Sequence, residues 1–298
     1  MEKIILVTVS DDRSGRKGGK YSETQDKIKN FFTENTNFGI TDFSFWKWKD
    51  VIKTQFYIDN KEMLDQIDPS MNGRCYKPFC VSEALKLISD GDFLIYNDCS
   101  PEMWEIIENP SFDCSLYNIN VLKKLCSDNG GILTAECVWS FKDENGLLTP
   151  NLHTHENFTL DRCMEKMSMS DYGLHLQHAG GLIVLQKNSE SVSFVNEWLL
   201  WNLDPECASL GPINGQHTYW HNETGSEIGK IGHRHDQSIS GLLIAKMGKK
   251  LLRGLKTFCF LECCLNKNYD FIETSQSISR YKYVYDHVNR KILKKVRR

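Results

Sequence analysis

Short runs of apolar residues alternate along this chain with longer stretches in which apolar residues recur every three or four positions. The first run, Ile4 to Val9, is followed at once by Ser10, Asp11, Asp12 and Arg13. It is too short for a signal-peptide core or a membrane span and predicts a buried strand. Residues 93–97, FLIYN, form a second such run between the acidic turn 89–92 and Asp98. Residues 132–141, ILTAECVWSF, predict a third strand carrying Glu136, and Gly180-Gly181 opens a fourth through residue 185. Residues 38–48 mix aromatic and polar positions and suggest another strand. Helical patterning covers 23–33, 82–88 with Ser82 as its cap, and 116–126. It covers 189–203, where Val192, Val195, Trp198, Leu199 and Leu203 share one side, and also the residues after His235-Asp236-Gln237. Residues 142–157 read as polar loop. Residues 204–232, rich in Gly, Pro, Asn and His, read as a long functional loop that closes over bound ligand.

Helix, tight turn, buried strand and strand-end carboxylate in that order predict an α/β fold, a single open mixed sheet flanked by helices. The length of 298 residues allows one large domain, read as residues 1–250, with a C-terminal extension over 251–298. Apolar residues make up 40% and charged residues 25%, enough for a sizeable core and unlike a disordered chain. The net charge of −3 gives the molecule no general attraction to nucleic acid. Eleven scattered cysteines do not form a disulfide framework and fit small core residues of a cytoplasmic protein. Cys259, Cys263 and Cys264 cluster without a second pair at zinc-site spacing. The stretch Arg280–Arg298 is strongly basic, with a ridge of Val288, Ile292 and Val296. It either packs on the domain, docks peripherally on an anionic membrane or meets an acidic partner.

Candidate chemistry gathers at a few positions. Asp98 follows a buried strand, where α/β folds place their ligands, and its carboxylate suits Mg²⁺ or Mn²⁺ beside substrate phosphates. The alternative is a carboxylate that caps the turn before Pro101. Asp90 and Asp92 form a D-x-D string but belong to the opposite end of the strand. His233, His235 and Asp236 precede a helix whose first turn favours phosphate, and Asp236 either contacts ligand or caps that helix. His153 and His155 form an H-x-H in a polar stretch, and His175 and His178 are further candidates, His178 as a pocket residue. Arg74 and Lys77 offer positive charge for phosphate. Val9, Asp11, Asp12 and Arg13 end the first strand, where a nucleotide base and ribose rest. The glycines at 15–19 match neither the dinucleotide nor the P-loop spacing.

The segments ILVTVS (4–9), YKPFCVSEAL (76–85), GDFLIYNDCS (91–100), HAGGLIVLQKNSESVSFVNEW (178–198) and HRHDQSISGLL (233–243) resemble, in this order, GT-A glycosyltransferases with a Y-x-D-x-G segment. The resemblance spans about residues 3–245. It implies transfer of a monosaccharide from a nucleoside-diphosphate sugar, with a UDP-sugar as the expected donor, to a hydroxyl of a glycan, protein or lipid-linked acceptor. Asp98 then matches the first acid of the D-x-D motif, while Ser100 stands where relatives carry Asp or Gly. The implied metal set is Asp98, Ser100 and His233, holding Mn²⁺ or Mg²⁺. The implied donor set is Val9, Asp11, Arg13, Lys77, His178, Gly180 and Gly181. Asp236 and His235 take the catalytic positions. Two other classes stay open: a non-catalytic glycan- or nucleotide-binding protein on the same fold, and a metal-dependent phosphoryl-transfer enzyme.

Overall fold

The computed structural model describes residues 2–10, 18–66, 76–142, 148–208, 235–255 and 257–275. The strands are β1 (Ile4–Ser10), β2 (Asp42–Lys47), β3 (Phe93–Asn97), β4 (Ile132–Glu136), β5 (Val138–Lys142), β6 (Leu148–Leu152), β7 (His178–Gln186), β8 (Lys250–Leu252) and β9 (Phe271–Glu273). Seven of them form one mixed sheet in the order β2-β1-β3-β7-β4-β8-β9, and β5 and β6 pair separately. β1 runs parallel to β2 and β3, β7 runs antiparallel to β3 and β4, and β8 is parallel to β4. The C-terminal ends of β1, β2, β3, β4 and β8 therefore share one sheet edge with the start of β7.

The helices that matter for the site follow from local sequence. Helix α1 is Gly18–Glu34; short helices α2 (Trp48–Val51), α3 (Gln55–Asp59) and α4 (Lys61–Gln66) come after β2. Helix α5 is Lys77–Leu85, α6 Pro101–Glu108 and α7 Ile119–Asp128. Then come α8 (His155–Phe158), α9 (Asp161–Lys166), α10 (Ser189–Asn202), α11 (Pro205–Ala208) and α12 (Asp236–Lys246). Ser82 does not cap a helix, contrary to the sequence reading, because α5 already starts at Lys77. Pro78 occupies its first turn, where the missing N–H costs nothing. Asn188 does cap α10, its Oδ1 accepting Ser191 N at 2.8 Å.

Both faces of the sheet are covered, which is why its central strands read as continuous apolar runs rather than alternating ones. Ile5, Val7, Leu94, Tyr96, Ile183 and Leu185 face α5, α10 and α12 in one core. Ile4, Leu6, Phe93, Ile95, Leu182 and Val184 face the other core, with Phe32 of α1, Trp104 of α6 and Leu122 of α7. A third cluster joins Trp48, Val51 and Leu64 to Tyr76, Phe79 and Cys80 beside α5.

Two further expectations change. The run 132–141 is not one strand: β4 stops at Glu136, and β5 leaves to pair with β6. The stretch 142–157 contains β6 and α8 rather than loop alone. After residue 249, β8 and β9 add two strands at one edge of the sheet. Cys259, Phe260, Leu261, Cys263 and Cys264 are buried in its second core. Among the described residues no helix is long and apolar enough to cross a membrane. The described cysteines are free thiols, and all but Cys114 are buried.

Candidate functional site

Three charged side chains from three different elements meet at the shared strand edge. Asp98 comes directly after β3, Lys77 is the first residue of α5, and Asp236 is the first residue of α12. The Lys77 Nζ lies 2.8 Å from Asp236 Oδ2 and 3.4 Å from Asp98 Oδ1. It also donates to the carbonyl of Gly180 at 3.3 Å and stands 5.1 Å from the centre of the Tyr96 ring. The Lys77 and Asp236 side chains are 9% and 4% exposed, whereas that of Asp98 is 34% exposed. One ammonium thus holds two carboxylates, a buried one and one that reaches water.

Strand geometry explains why Asp98 points here. Side chains two residues apart share a face, so Asp98 extends the face of Tyr96, whose hydroxyl donates to Asp98 Oδ1. Burial, then the Asp98 charge, pushes the Tyr96 phenol well above its ordinary range, so it stays protonated as a donor. Asn97 points to the opposite face. There its Nδ2 donates to Gly181 O at 2.8 Å and its Oδ1 accepts Phe260 N at 2.8 Å. The Asp98 backbone is clamped as well: its N–H donates to Gly181 O at 2.9 Å, and its carbonyl accepts Trp104 Nε1 at 2.8 Å.

The paired glycines at the start of β7 leave the room this packing needs. A Cβ on Gly181 would lie 2.6 Å from Met103 Cε and 3.1 Å from Asp98 Oδ2. A Cβ on Gly180 would lie 2.9 Å from Gln237 Cβ, which the backbone of α12 fixes in place. Gly180 and Gly181 therefore let α12 and Asp98 approach the sheet, and Lys77 takes its third partner from the same strand.

Asp236 is not a helix cap, the alternative left open by the sequence. It occupies the first helical turn, with His235 in the cap position, and its side chain is turned to Lys77. Its carbonyl accepts Trp198 Nε1 at 3.0 Å and Ser240 Oγ at 2.8 Å. The His235 ring is buried, and its Nδ1 donates to Ala208 O at 3.0 Å.

His178 is a core residue rather than a pocket wall. It is fully buried, with Nδ1 2.9 Å from Thr134 Oγ1 and Nε2 2.6 Å from Ser240 Oγ. A neutral ring donates through one of these nitrogens and accepts at the other. Both ring nitrogens are engaged, and neither is offered to a ligand. Burial, then Lys77, depresses the His178 pKa to about 3, against an ordinary value of 6.5. The unfolded chain therefore binds a proton in that window that the folded protein does not. The stabilisation is complete above pH 6.5 and is lost as pH falls toward 3, amounting to a few kcal/mol on the order-of-magnitude scale. The melting temperature of the wild type is expected to fall more steeply between pH 7 and 4.5 than that of His178→Gln. Parallel pH profiles would overturn the assignment.

The H-x-H pair is also corrected. His153 and His155 are buried, not solvated in a polar loop. His153 Nδ1 lies 3.2 Å from the Cys137 thiol, and its ring stacks on Phe158 at 4.1 Å. His155 Nδ1 lies 2.9 Å from Thr159 Oγ1, and its ring fills the space left by Gly241. His175 Nδ1 meets Thr274 Oγ1 at 3.0 Å. Asp92 does lie at the far end of β3, accepting Lys3 N at 2.9 Å and Ser89 N at 2.8 Å.

Val9 is half-buried, and its carbonyl accepts the Cys99 thiol at 3.2 Å. Ser100 sits in the cap position of α6, and its hydroxyl makes no cap bond. Asp11, Arg13, Arg74, His233, residues 209–232 of the expected loop and the basic tail lie outside the described residues. Sequence reasoning passed over Tyr96, although its place two residues before Asp98 in a strand marks it as a same-face neighbour. It also passed over Trp198, which reaches the Asp236 carbonyl from α10, and Ser240, four residues on in α12.

Among the described residues no group of three or more His, Cys, Asp or Glu is placed to hold a metal ion. A cation shared with phosphates asks for less, since Mg²⁺ commonly takes only one or two protein carboxylates beside water and phosphate oxygens. Asp98 offers one partly exposed carboxylate. The donor set fits a cation that arrives with a phosphorylated ligand. No protein-family model, curated protein or solved structure matches this chain.

Proposed function

We propose that this chain is a GT-A-type glycosyltransferase. It would take a nucleoside-diphosphate sugar, with a UDP-sugar as the first donor to test, and transfer the monosaccharide to a hydroxyl of a glycan, protein or lipid-linked acceptor. The observation that supports this reading most is the pair Asp98 and Asp236, brought to the C-terminal strand edge from separate elements and joined by the buried Lys77. That edge is where open α/β sheets bind ligands.

In this reading Asp98 is the outer carboxylate and supplies the protein ligand to Mn²⁺ or Mg²⁺ that accompanies the diphosphate, with the Ser100 hydroxyl beside it. When bound, the cation would neutralise charge developing on the departing nucleoside diphosphate. Asp236 is the inner carboxylate, fixed at the start of α12 by Lys77, Trp198 and Ser240, and it orients hydroxyl groups of the transferred sugar or of the acceptor. Such fixed orientation removes reorganisation from the reaction step. Gly180 and Gly181 admit Gln237 and Asp98 close against the start of β7, which sets where the two carboxylates stand. Val9 marks the end of β1 on the nucleotide side.

The test offers UDP-glucose, UDP-N-acetylglucosamine and GDP-mannose with Mn²⁺ or Mg²⁺ and follows release of nucleoside diphosphate, with and without chelator. Chelator-sensitive release from at least one donor, lost in Asp98→Asn, is the expected outcome. Binding of nucleoside diphosphate with no release or transfer, across donors and acceptors, would favour the non-catalytic binding protein. Cleavage of a phosphodiester substrate in their place would favour phosphoryl transfer.

A further inference from the structure

The conformation of His235 has no explanation in the packing described so far. Its backbone lies at φ 49° and ψ −118°, where glycine is at ease and a residue with a Cβ is strained. A glycine would take this turn without strain, yet the position carries a large ring that is 3% exposed and bonded through Nδ1 to Ala208 O. Ala208 ends α11, which packs beside α10. α10 in turn supplies Trp198, the donor to the Asp236 carbonyl. The first turn of α12 is therefore tied to α11 through the His235 ring and to α10 through Trp198, and Ser240 of the same helix bonds the Asp236 carbonyl.

We infer that His235 is a positioning residue, whose ring bond to Ala208 holds a strained turn that aims the Asp236 carboxylate at Lys77. Its ring is buried and bonded to Ala208, and the positioning role rests on that contact. Its importance for turnover rests on the proposed role of Asp236, but its effect on the Lys77–Asp236 pair does not.

The experiment is a double-mutant cycle on melting temperature with the full chain: wild type, His235→Gly, Lys77→Met and the double variant. Lys77→Met is expected to cost about 10 °C in the wild-type background, the scale for breaking a buried ion pair. In the His235→Gly background that cost should fall to roughly half or less, because Asp236 is no longer held against Lys77. His235→Gly itself should melt within about 2 °C of the wild type, as strain relief offsets the lost ring bond. His235→Ala, which keeps the strain and loses the bond, should melt lower. Equal costs of Lys77→Met in both backgrounds would overturn the inference, as would His235→Ala melting above His235→Gly. Should His235→Gly fail to fold, His235→Asn takes its place in the cycle, since Asn accepts positive φ but is shorter than His. If neither folds, His235 is a folding requirement and the positioning role is overturned. Where a donor is turned over, His235→Gly should lower kcat by about tenfold or more while donor KM moves less than about threefold. Equal changes in the two constants would count against positioning. Failure of the wild type to turn over any donor would remove the glycosyltransferase reading and leave the thermal cycle as a complete test.

Discussion

Lys77→Met is expected to destabilise this protein by about 3–5 kcal/mol, the usual scale for removing one partner of a buried ion pair. Methionine is close to lysine in length and fills the same apolar path, so the substitution removes a charge and little volume. It leaves Asp236, whose side chain is 4% exposed, without the ammonium 2.8 Å from its Oδ2. It also leaves two carboxylates, Asp98 and Asp236, facing each other without the cation between them. Lys77→Arg should not rescue the loss, because the wider, planar guanidinium must fit where one Nζ now touches Asp236, Asp98 and the Gly180 carbonyl. Lys77→Met/Asp236→Asn should recover a large part of it, because the remaining buried group is then neutral. Thermal melts of the three variants at pH 7 check this. A Lys77→Met protein melting within about 2 °C of the wild type would show that the pair contributes little. Failure of the double variant to recover stability would place the loss in packing and not in charge.

Asp98→Asn is expected to have the opposite profile, with a small change in stability and a fall in turnover of about 10²-fold or more. The side chain is 34% exposed, so neutralising it strands no buried charge, and Lys77 keeps Asp236 as a partner. Asparagine has the same shape, and its carbonyl oxygen can still accept from Tyr96. In the proposed reading the turnover loss follows from removing an outward carboxylate that would meet the cation and diphosphate. Melting temperature, nucleotide affinity in the presence of Mn²⁺, and initial rate on an active donor should be measured together. Near-wild-type turnover would remove Asp98 from the mechanism. A collapse of stability would show that it serves the fold before the chemistry.

The apolar pattern by itself determined much of the framework. β1, β3, β7, α10 and α12 are legible in it because each is a local element: an unbroken run buried on both faces, or a periodic stretch with Asn188 as its cap. The start of α5 is misread from the same pattern, which points to Ser82 where the helix begins at Lys77 with Pro78 in its first turn. Asp98 is legible because the end of a buried strand is a position that sequence alone defines, and Asp92 is separable from it for the same reason.

Tertiary structure decided the rest. Nothing local distinguishes the buried His153, His155 and His178 from histidines in a polar loop or pocket. Their burial comes from α8, α12 and β4, which sequence periodicity does not place. In the sequence Lys77 offers only a positive charge for phosphate, and the docking of α5 beside α12 makes it the shared counter-ion of Asp98 and Asp236. The break after Glu136 likewise depends on a partner strand, β6, that carries little apolar signal of its own. Periodicity reports which face of an element seeks burial, because that follows from backbone geometry and water. It does not report which distant charges will meet when those faces pack, and in this protein that meeting makes the candidate site.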